Sequence, residues 1–344
     1  MRKIYPLIAV LLVIALGFVG WWRSGDQREA TRGEFIMGTY IEARAYGRRA
    51  EAALDAVYAR LAEIEQRMSI NLADSEISQV NQQAGSEPVQ VSADTFEVVQ
   101  QALRFAELTG GKFDPTIQPV VSLWKIGSPE ARVPTPEEIG AYLAFVDYHL
   151  IELNAKTKSI FLPLAGMGLD LGGIAKGYAA DEAVTIMRQY GIRNGIISLG
   201  GNLYAIGQNP AGDRPWRIGV QDPEDTRNTY VAVLEPVDET MVTSGAYERY
   251  LIADGKVYHH IIDPDTGYPA ETDVLSSTIV ATSSIDADAL STSVFILGRE
   301  QGMQLIESLP GIEAVVIDKE HRVYVTTGLK NRVSVLNERY QLVP

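Results

Sequence analysis

The 344-residue chain contains no cysteine. This removes disulfides, thiolate nucleophiles and zinc–thiolate sites, and rules out lipid attachment at an N-terminal cysteine. It leaves the compartment open. Histidine is nearly as scarce, with four in the whole chain, so acid–base work by imidazole falls on very few positions. No Lys/Arg-rich run appears, and the formal net charge is −14. A nucleic-acid partner is thereby excluded, because binding a phosphate backbone needs a basic surface that releases counterions. Internal repeats, low-complexity segments and long linkers are missing as well.

What is present is globular: 46% hydrophobic and 22% charged residues, in a chain long enough for one large unit or about two domains. Arg2 and Lys3 precede an uncharged run from Ile4 to Trp22, ending in two tryptophans and Arg23. At about 1.5 Å per residue this run just spans a bilayer core. Basic residues ahead of it and tryptophans at its far end favour a cytoplasmic N-terminus. Residues 1–23 therefore read as a membrane anchor, with a cleavable signal segment as the alternative, although no small-x-small cleavage site clearly follows. Either reading puts the rest of the chain outside the cytoplasm, on the outer side of a bacterial inner membrane. Residues 24–33 read as a polar tether, and residues 34–340 as one catalytic unit.

Within that unit, "FIMGTYIEARAY" alternates like a strand up to Gly47. Leu54, Val57, Leu61, Ile64 and Met68 recur at helical spacing. Ser92 opens a second helix stopped by Gly110–Gly111, and Thr135-Pro136 with Glu138 reads as a capping box opening a third. The second half is rich in short strands, with a hairpin signal at Asp254-Gly255, interrupted by helices at about 173–190 and 286–297. Hairpins with segregated helices imply the α+β class.

Three stretches could carry chemistry. In "DADALSTSVFILG", 286–298, Asp288 shares a helix face with Thr292, and Ser291 sits three residues on. One carboxylate with hydroxyls suits Mg²⁺, a hard cation that keeps waters and is completed by phosphates; on this stretch alone the residues favour helix capping, with Asp286 as the cap. In "MGLDLGGIAKGYAAD", 167–181, Asp170 precedes Gly172 and Gly173, and Lys176 follows one turn into a helix. Glycines and a helix start suit an anion, or simply a turn. In "HHIIDPDTGYP", 259–269, His259 and His260 point to opposite faces of a strand, so one at most faces a given cleft. It could act as a base, with a pKa near 6.5, or be a packed ring.

These stretches, together with "MGT" at 37–39, "SLGGN" at 198–202 and "TSGAYERY" at 243–250, resemble the ApbE family of FAD:protein FMN transferases, in order, over roughly residues 34–330. The resemblance implies a T-fold-related fold of mixed, largely antiparallel sheets with flanking helices. It implies a Mg²⁺-dependent enzyme that moves FMN from FAD, through a phosphoester, to a threonine or serine of a partner protein while AMP leaves. The acceptor would carry a Ser/Thr-Gly-Ala-Thr-like sequence and belong to a membrane redox complex. By the same resemblance Asp288, Thr292 and the Gly173 carbonyl are metal ligands with Ser291 close by. Met37, Phe113, Asp114, Asp170, Lys176 and Ile262 line the FAD pocket, Ser244 and Gly245 lie near the phosphates, Lys176 supplies positive charge to the transition state, and His260 is the base. "TSGA" reads as the enzyme's own motif, not as a site of self-flavinylation.

One position departs from the family pattern. Many relatives have tyrosine where this chain has Asn71, and a ring there would stack on the flavin dinucleotide for about 1 kcal/mol. Its loss admits a second activity, hydrolysis of FAD to FMN and AMP. A third reading is a flavin-binding protein without chemistry of its own.

Overall fold

The alternating stretch at 35–46 contains a reversal. In the computed structural model, which describes residues 28–212, 214–225 and 229–343, Glu29–Ile36 and Thr39–Tyr46 form an antiparallel hairpin closed at Met37–Gly38. This corrects the tether expected over 24–33. From Glu29 onward the chain is already in the ladder, pairing Glu29 with Tyr46 and Gly33 with Glu42. Its polar composition is that of an edge strand with a solvated face. The predicted anchor, and the tether up to residue 27, lie outside the described residues. Among the described residues no helix is long and apolar enough to cross a membrane.

The hairpin begins a nine-stranded sheet. Asn194–Leu199, Asn202–Ile206, Glu239–Gly245, Val274–Ala281, Glu313–Asp318, Arg322–Val325 and Gln341–Leu342 follow it across the sheet in chain order. All neighbours are antiparallel except the last pair. The α+β class and the largely antiparallel pairing therefore hold.

Alternation along the central strands divides two cores. Val242, Ile279 and Val316 face the helices Ala50–Met68, Ala175–Gln189 and Ser284–Glu307, where they meet Leu61, Ala179 and Leu290. Met241, Val280, Val315 and Ile317 face a three-stranded sheet, Ile218–Gln221, Tyr230–Leu234 and Ser334–Val335, and pack with Val231 and Leu234. With both faces covered, the strands read as near-continuous apolar runs. Each fully buried Val, Leu or Ile contributes about 1.5–3 kcal/mol. The predicted stripe of the Ala50–Met68 helix is buried throughout.

Between the second and third strands the chain builds a helical lobe from Glu76–Gln82, Ala93–Leu108, Gln118–Trp124 and Pro136–Leu143, with a small sheet of Val89–Gln90, Glu152–Asn154 and Ser159–Phe161. Ser92 caps Ala93–Leu108 by accepting the Thr95 N–H at 3.3 Å, and Thr135 with Glu138 forms the expected capping box. Asp254–Gly255 turns the separate hairpin Tyr250–Ala253/Lys256–His259, both turn residues having positive φ (49° and 75°).

The helix expected over 286–297 starts two residues earlier, and its cap differs from expectation. Ser283 accepts the Asp286 N–H at 3.4 Å. The Asp181 carboxylate accepts the Ser284 and Ile285 N–H groups, both at 2.9 Å. Asp286 instead lies in the first turn, paired with Arg104 at 2.5 Å. Consecutive serines at 283 and 284 made this start hard to read. Beyond the predicted end, Gly298 (φ 79°) breaks the helix and a second segment continues to Glu307.

Candidate active site

The sheet register gathers several sequence motifs at one end. Ile41 pairs with Leu199, so the Met37–Gly38 turn and the Gly200–Gly201 turn lie side by side. Val242 pairs with Asn202, and the Thr243 N–H donates to the Gly201 carbonyl at 3.0 Å, so residues 243–245 run to the same end. Side-chain alternation sends Ser244 toward the helices. Its Oγ lies 2.8 Å from Ser291 Oγ and 3.3 Å from Thr292 Oγ1. Gly245 pairs with Ser276 and faces away from Ser244.

The glycine bend comes to this end from the other side. Asn81 clamps the extended backbone at Leu169, accepting its N–H at 2.6 Å and donating to its carbonyl at 2.9 Å. Leu169 and Leu171 are buried, and Asp170 between them is half-buried. Asp170 Oδ1 accepts the Gly172 N–H at 2.7 Å. Burial pushes the Asp170 carboxyl up, against that hydrogen bond and the nearby Arg249 and Lys176 charges. The Cβ that Gly173 lacks would lie 3.2 Å from the Phe113 ring and 3.7 Å from Thr292 Oγ1. The bend, the Phe113 ring and the Ser284–Glu307 helix therefore meet.

Asp288 joins the two helices. It is 3% exposed. Its Oδ2 accepts the Gly177 N–H at 2.8 Å, one of the unpaired first-turn donors of Ala175–Gln189, at the positive end of that helix. No side chain caps this helix locally, so the cap comes from across the interface. Lys176 Nζ stands 3.6 Å from Asp288 Oδ1 and donates to the Gly172 carbonyl at 3.0 Å. Close approach at this crossing requires glycine: a Cβ on residue 177 would lie 2.3 Å from the Ser284 carbonyl oxygen and 2.7 Å from Asp288 Cβ.

The strand ends at His259, and His259 and His260 have different partners. His259 packs edge-on against Phe295, with Nε2 3.1 Å from the Ala270 carbonyl. A surface pocket lined by Lys256, His259, Tyr268, Glu271 and Lys319 opens on its side and holds none of the predicted site residues. The His260 N–H donates to the Arg249 carbonyl at 3.1 Å, and its Nδ1 lies 3.2 Å from the same oxygen. That contact makes Nδ1 the protonated nitrogen and leaves Nε2 as acceptor. Burial, then the positive charge of Arg249 and to a lesser degree His259 and Lys176, lowers the His260 pKa to about 3. The ring is thus neutral at physiological pH.

The remaining predicted residues sit differently. The Asp114 carboxylate accepts from the Thr116 N–H (2.7 Å), Thr116 Oγ1 (2.5 Å) and the Tyr148 N–H (3.2 Å), so it organises its own loop. Burial raises its pKa, against the Thr116 and Tyr148 hydrogen bonds. Ile262 is buried with Val120, Trp124 and Ile139. Ser291 is fully buried, its Oγ donating to the Asp288 carbonyl at 2.9 Å, and it steadies Ser244 from behind. Met37 is held in its left-handed turn (φ 54°) by its N–H to Glu65 Oε1 at 2.8 Å. Asn71 is exposed in the turn after the Ala50–Met68 helix, its N–H donating to Ser69 Oγ at 3.2 Å. Sequence reasoning missed Gly177 and Arg249. Arg249 lies inside the quoted "TSGAYERY", but beside Glu248 it reads as ordinary surface charge.

The donor set fits Mg²⁺. Asp288 Oδ1, Thr292 Oγ1 and the Gly173 carbonyl are all hard oxygens. Among the described residues no group of three His, Cys, Asp or Glu could hold a metal. A site with one carboxylate and neutral oxygens leaves coordination for waters and phosphate, as Mg²⁺ prefers.

Comparison with known proteins identifies the family of the chain. The family model described as the ApbE family matches residues 37–316. The FAD:protein FMN transferase of Treponema pallidum (strain Nichols) is 39% identical, with 98% of each chain covered. That of Klebsiella pneumoniae (strain 342) is 34% identical over 92% of this chain and 98% of its own. Among solved structures, the ApbE protein of Thermotoga maritima superposes with a TM-score of 0.81 at 32% identity, covering 88% of this chain and 98% of that one. The flavin transferase ApbE of Vibrio cholerae gives 0.79 at 32% identity, covering 89% and 99%. By its sequence over most of its length and by its fold, this chain belongs to the ApbE family.

Proposed function

We propose that the protein transfers FMN from FAD to a serine or threonine hydroxyl of an acceptor protein. The observation that carries this reading is the meeting of Asp288, Thr292, Gly173 and Lys176 at one end of the sheet, with a neutral imidazole at His260. The name shared by the Treponema pallidum and Klebsiella pneumoniae relatives supports it. The acceptor oxygen attacks the phosphorus on the FMN side. A phosphoester bond forms, the pyrophosphate P–O bond breaks, and AMP leaves with the bridging oxygen. His260 Nε2, unprotonated at neutral pH, takes the hydroxyl proton; the negative phosphates of the bound dinucleotide offset the Arg249 and Lys176 charges that make the ring a weak base in the free enzyme. Lys176 places an ammonium where phosphate charge gathers, and Ser244 and Ser291 hold Thr292 in place. Mg²⁺, held by Asp288, Thr292 and the Gly173 carbonyl, would act as a Lewis acid on the phosphate oxygens. Phosphoryl transfer of this kind is mainly positioning and charge stabilisation.

Asn71 favours a second activity at the same site, hydrolysis of FAD with water as the nucleophile, because its turn offers no ring to stack over the ligand. A carrier without chemistry would have no use for a cation site beside a neutral base. The experiment is mass spectrometry of a co-expressed membrane redox subunit. A gain of one FMN is expected with the parent enzyme and a loss of about 10²-fold or more in rate with Asp288→Asn. Unchanged labelling by that variant would remove the metal assignment. Residues 1–23 further suggest an anchor that holds the enzyme on the outer face of the inner membrane. Fractionation that recovers the protein in the cytosol would refute that.

A further inference from the structure

Four buried side-chain atoms among the described residues have no hydrogen-bond partner: Arg44 Nε, Asn202 Nδ2, Ser276 Oγ and Arg299 Nε. Arg44 and Arg299 still lie 3.3 and 3.5 Å from the carboxylates of Glu29 and Asp273. Ser276 sits on the sheet face turned from the helices, two residues along from Thr278. Asn202 has no such neighbour. Its residue is 1% exposed. It stands in a row of directly paired residues, Ile41, Leu199, Asn202, Val242 and Ile279, that crosses the helix-facing side of the sheet. The other four are apolar and also buried. Valine would suit this strand position better, and burying an amide with a donor unpaired destabilises the free protein.

The same row explains what the amide could reach. Two residues further along the neighbouring strand, about 7 Å away at strand spacing, Ser244 on the same face touches Ser291 and Thr292. Asn202 opens its strand directly after the Gly200–Gly201 turn, whose φ values are 55° and 100°. Neither residue has a side chain to cover the amide on the side of the site. The start of the Ala175–Gln189 helix, with Lys176 and Gly177, lies at this same end.

We propose that Asn202 is a binding residue for the flavin dinucleotide, its side-chain N–H donating to an oxygen beside the pyrophosphate. This rests on the functional reading above and adds a residue to that site. The desolvation cost in the free enzyme is offset when the ligand arrives, so the amide favours the bound state specifically.

The test uses the full chain in buffer with Mg²⁺ and two variants, Asn202→Val and Asn202→Ala, the second guarding against overpacking. Urea unfolding without FAD is measured first, then FAD affinity by fluorescence titration. At least one variant is expected to be as stable as the parent or more so, and that variant is read for affinity, with FAD binding weakened about tenfold or more. Loss of free-enzyme stability in both variants overturns the proposal, since the amide would then be satisfied inside the protein. Unchanged FAD affinity in the stable variant overturns it equally. If the parent itself fails to bind FAD, the reading of the site falls, and the stability comparison still reports on the amide.

Discussion

Gly177→Ala tests whether the site depends on how closely two helices approach. Three effects compete. Alanine is the better helix former by about 1 kcal/mol. Against it stands the added methyl, placed 2.3 Å from a backbone carbonyl oxygen and 2.7 Å from Asp288 Cβ. Neither is the yielding end of a flexible side chain, and overpacking of this kind costs about 1–3 kcal/mol. If the helices move apart, the 2.8 Å bond from the Gly177 N–H to Asp288 is strained too. A hydrogen bond to a charged group is worth about 1.5–3 kcal/mol. The balance is a net loss of roughly 1.5–5 kcal/mol, so packing outweighs propensity. Urea denaturation followed by circular dichroism gives this number. FMN transfer, measured where the variant is fully folded, reports the displacement of Asp288 as a fall in kcat. A variant within about 0.5 kcal/mol of the parent, with unchanged transfer, would refute the account of the crossing.

With its pKa at about 3, His260 stays neutral through the physiological range, so the kcat/KM profile should lack an acid limb near pH 6.5; a limb there that is absent in His260→Gln would contradict the desolvated ring. The same shift bears on stability. The unfolded chain takes up a proton that the folded ring refuses, so the His260 contribution is intact above about pH 6.5 and declines as pH falls toward 3. Asp114→Ala should destabilise the protein by about 2–4 kcal/mol, leaving the Thr116 and Tyr148 donors without their acceptor; a drop in FAD affinity with stability intact would instead assign the carboxylate to the ligand. Asn71→Tyr should tighten FAD about fivefold and raise the ratio of acceptor labelling to free FMN release, measured by chromatography of both products. An unchanged ratio would detach Asn71 from the partition.

What could be read from the chain follows the range of the physics involved. The Leu54-to-Met68 stripe, the Ser92 cap and the Thr135 capping box depend on residues three or four apart, and the structure has all three. The Met37–Gly38 reversal escaped because methionine takes a left-handed φ there without the usual Asn-Gly or Asp-Gly signal. The start of the Ser284–Glu307 helix escaped because part of its cap comes from Asp181, on another helix. Asp288, Lys176 and His260 were legible as residue types in suggestive places. Their convergence was not, because it depends on contacts such as Gly177 with Asp288 that no local window contains. Family likeness puts Asp114 in the ligand pocket, and the hydrogen bonds its oxygens accept from Thr116 and Tyr148 are a tertiary detail that the sequence does not show.

The strands cross the sheet in the order in which the ribosome makes them, and side chains on each strand alternate between the helical and the small-sheet side. One residue inserted in the middle of Glu239–Gly245 would turn Ser244 from Thr292 toward the opposite core and exchange the apolar set with it. The same insertion at the far end, in the turn between Ile206 and Ile218, would leave every hydroxyl where it is. Length can therefore change in that connection without moving a site hydroxyl, whereas the strand is held to its residue count.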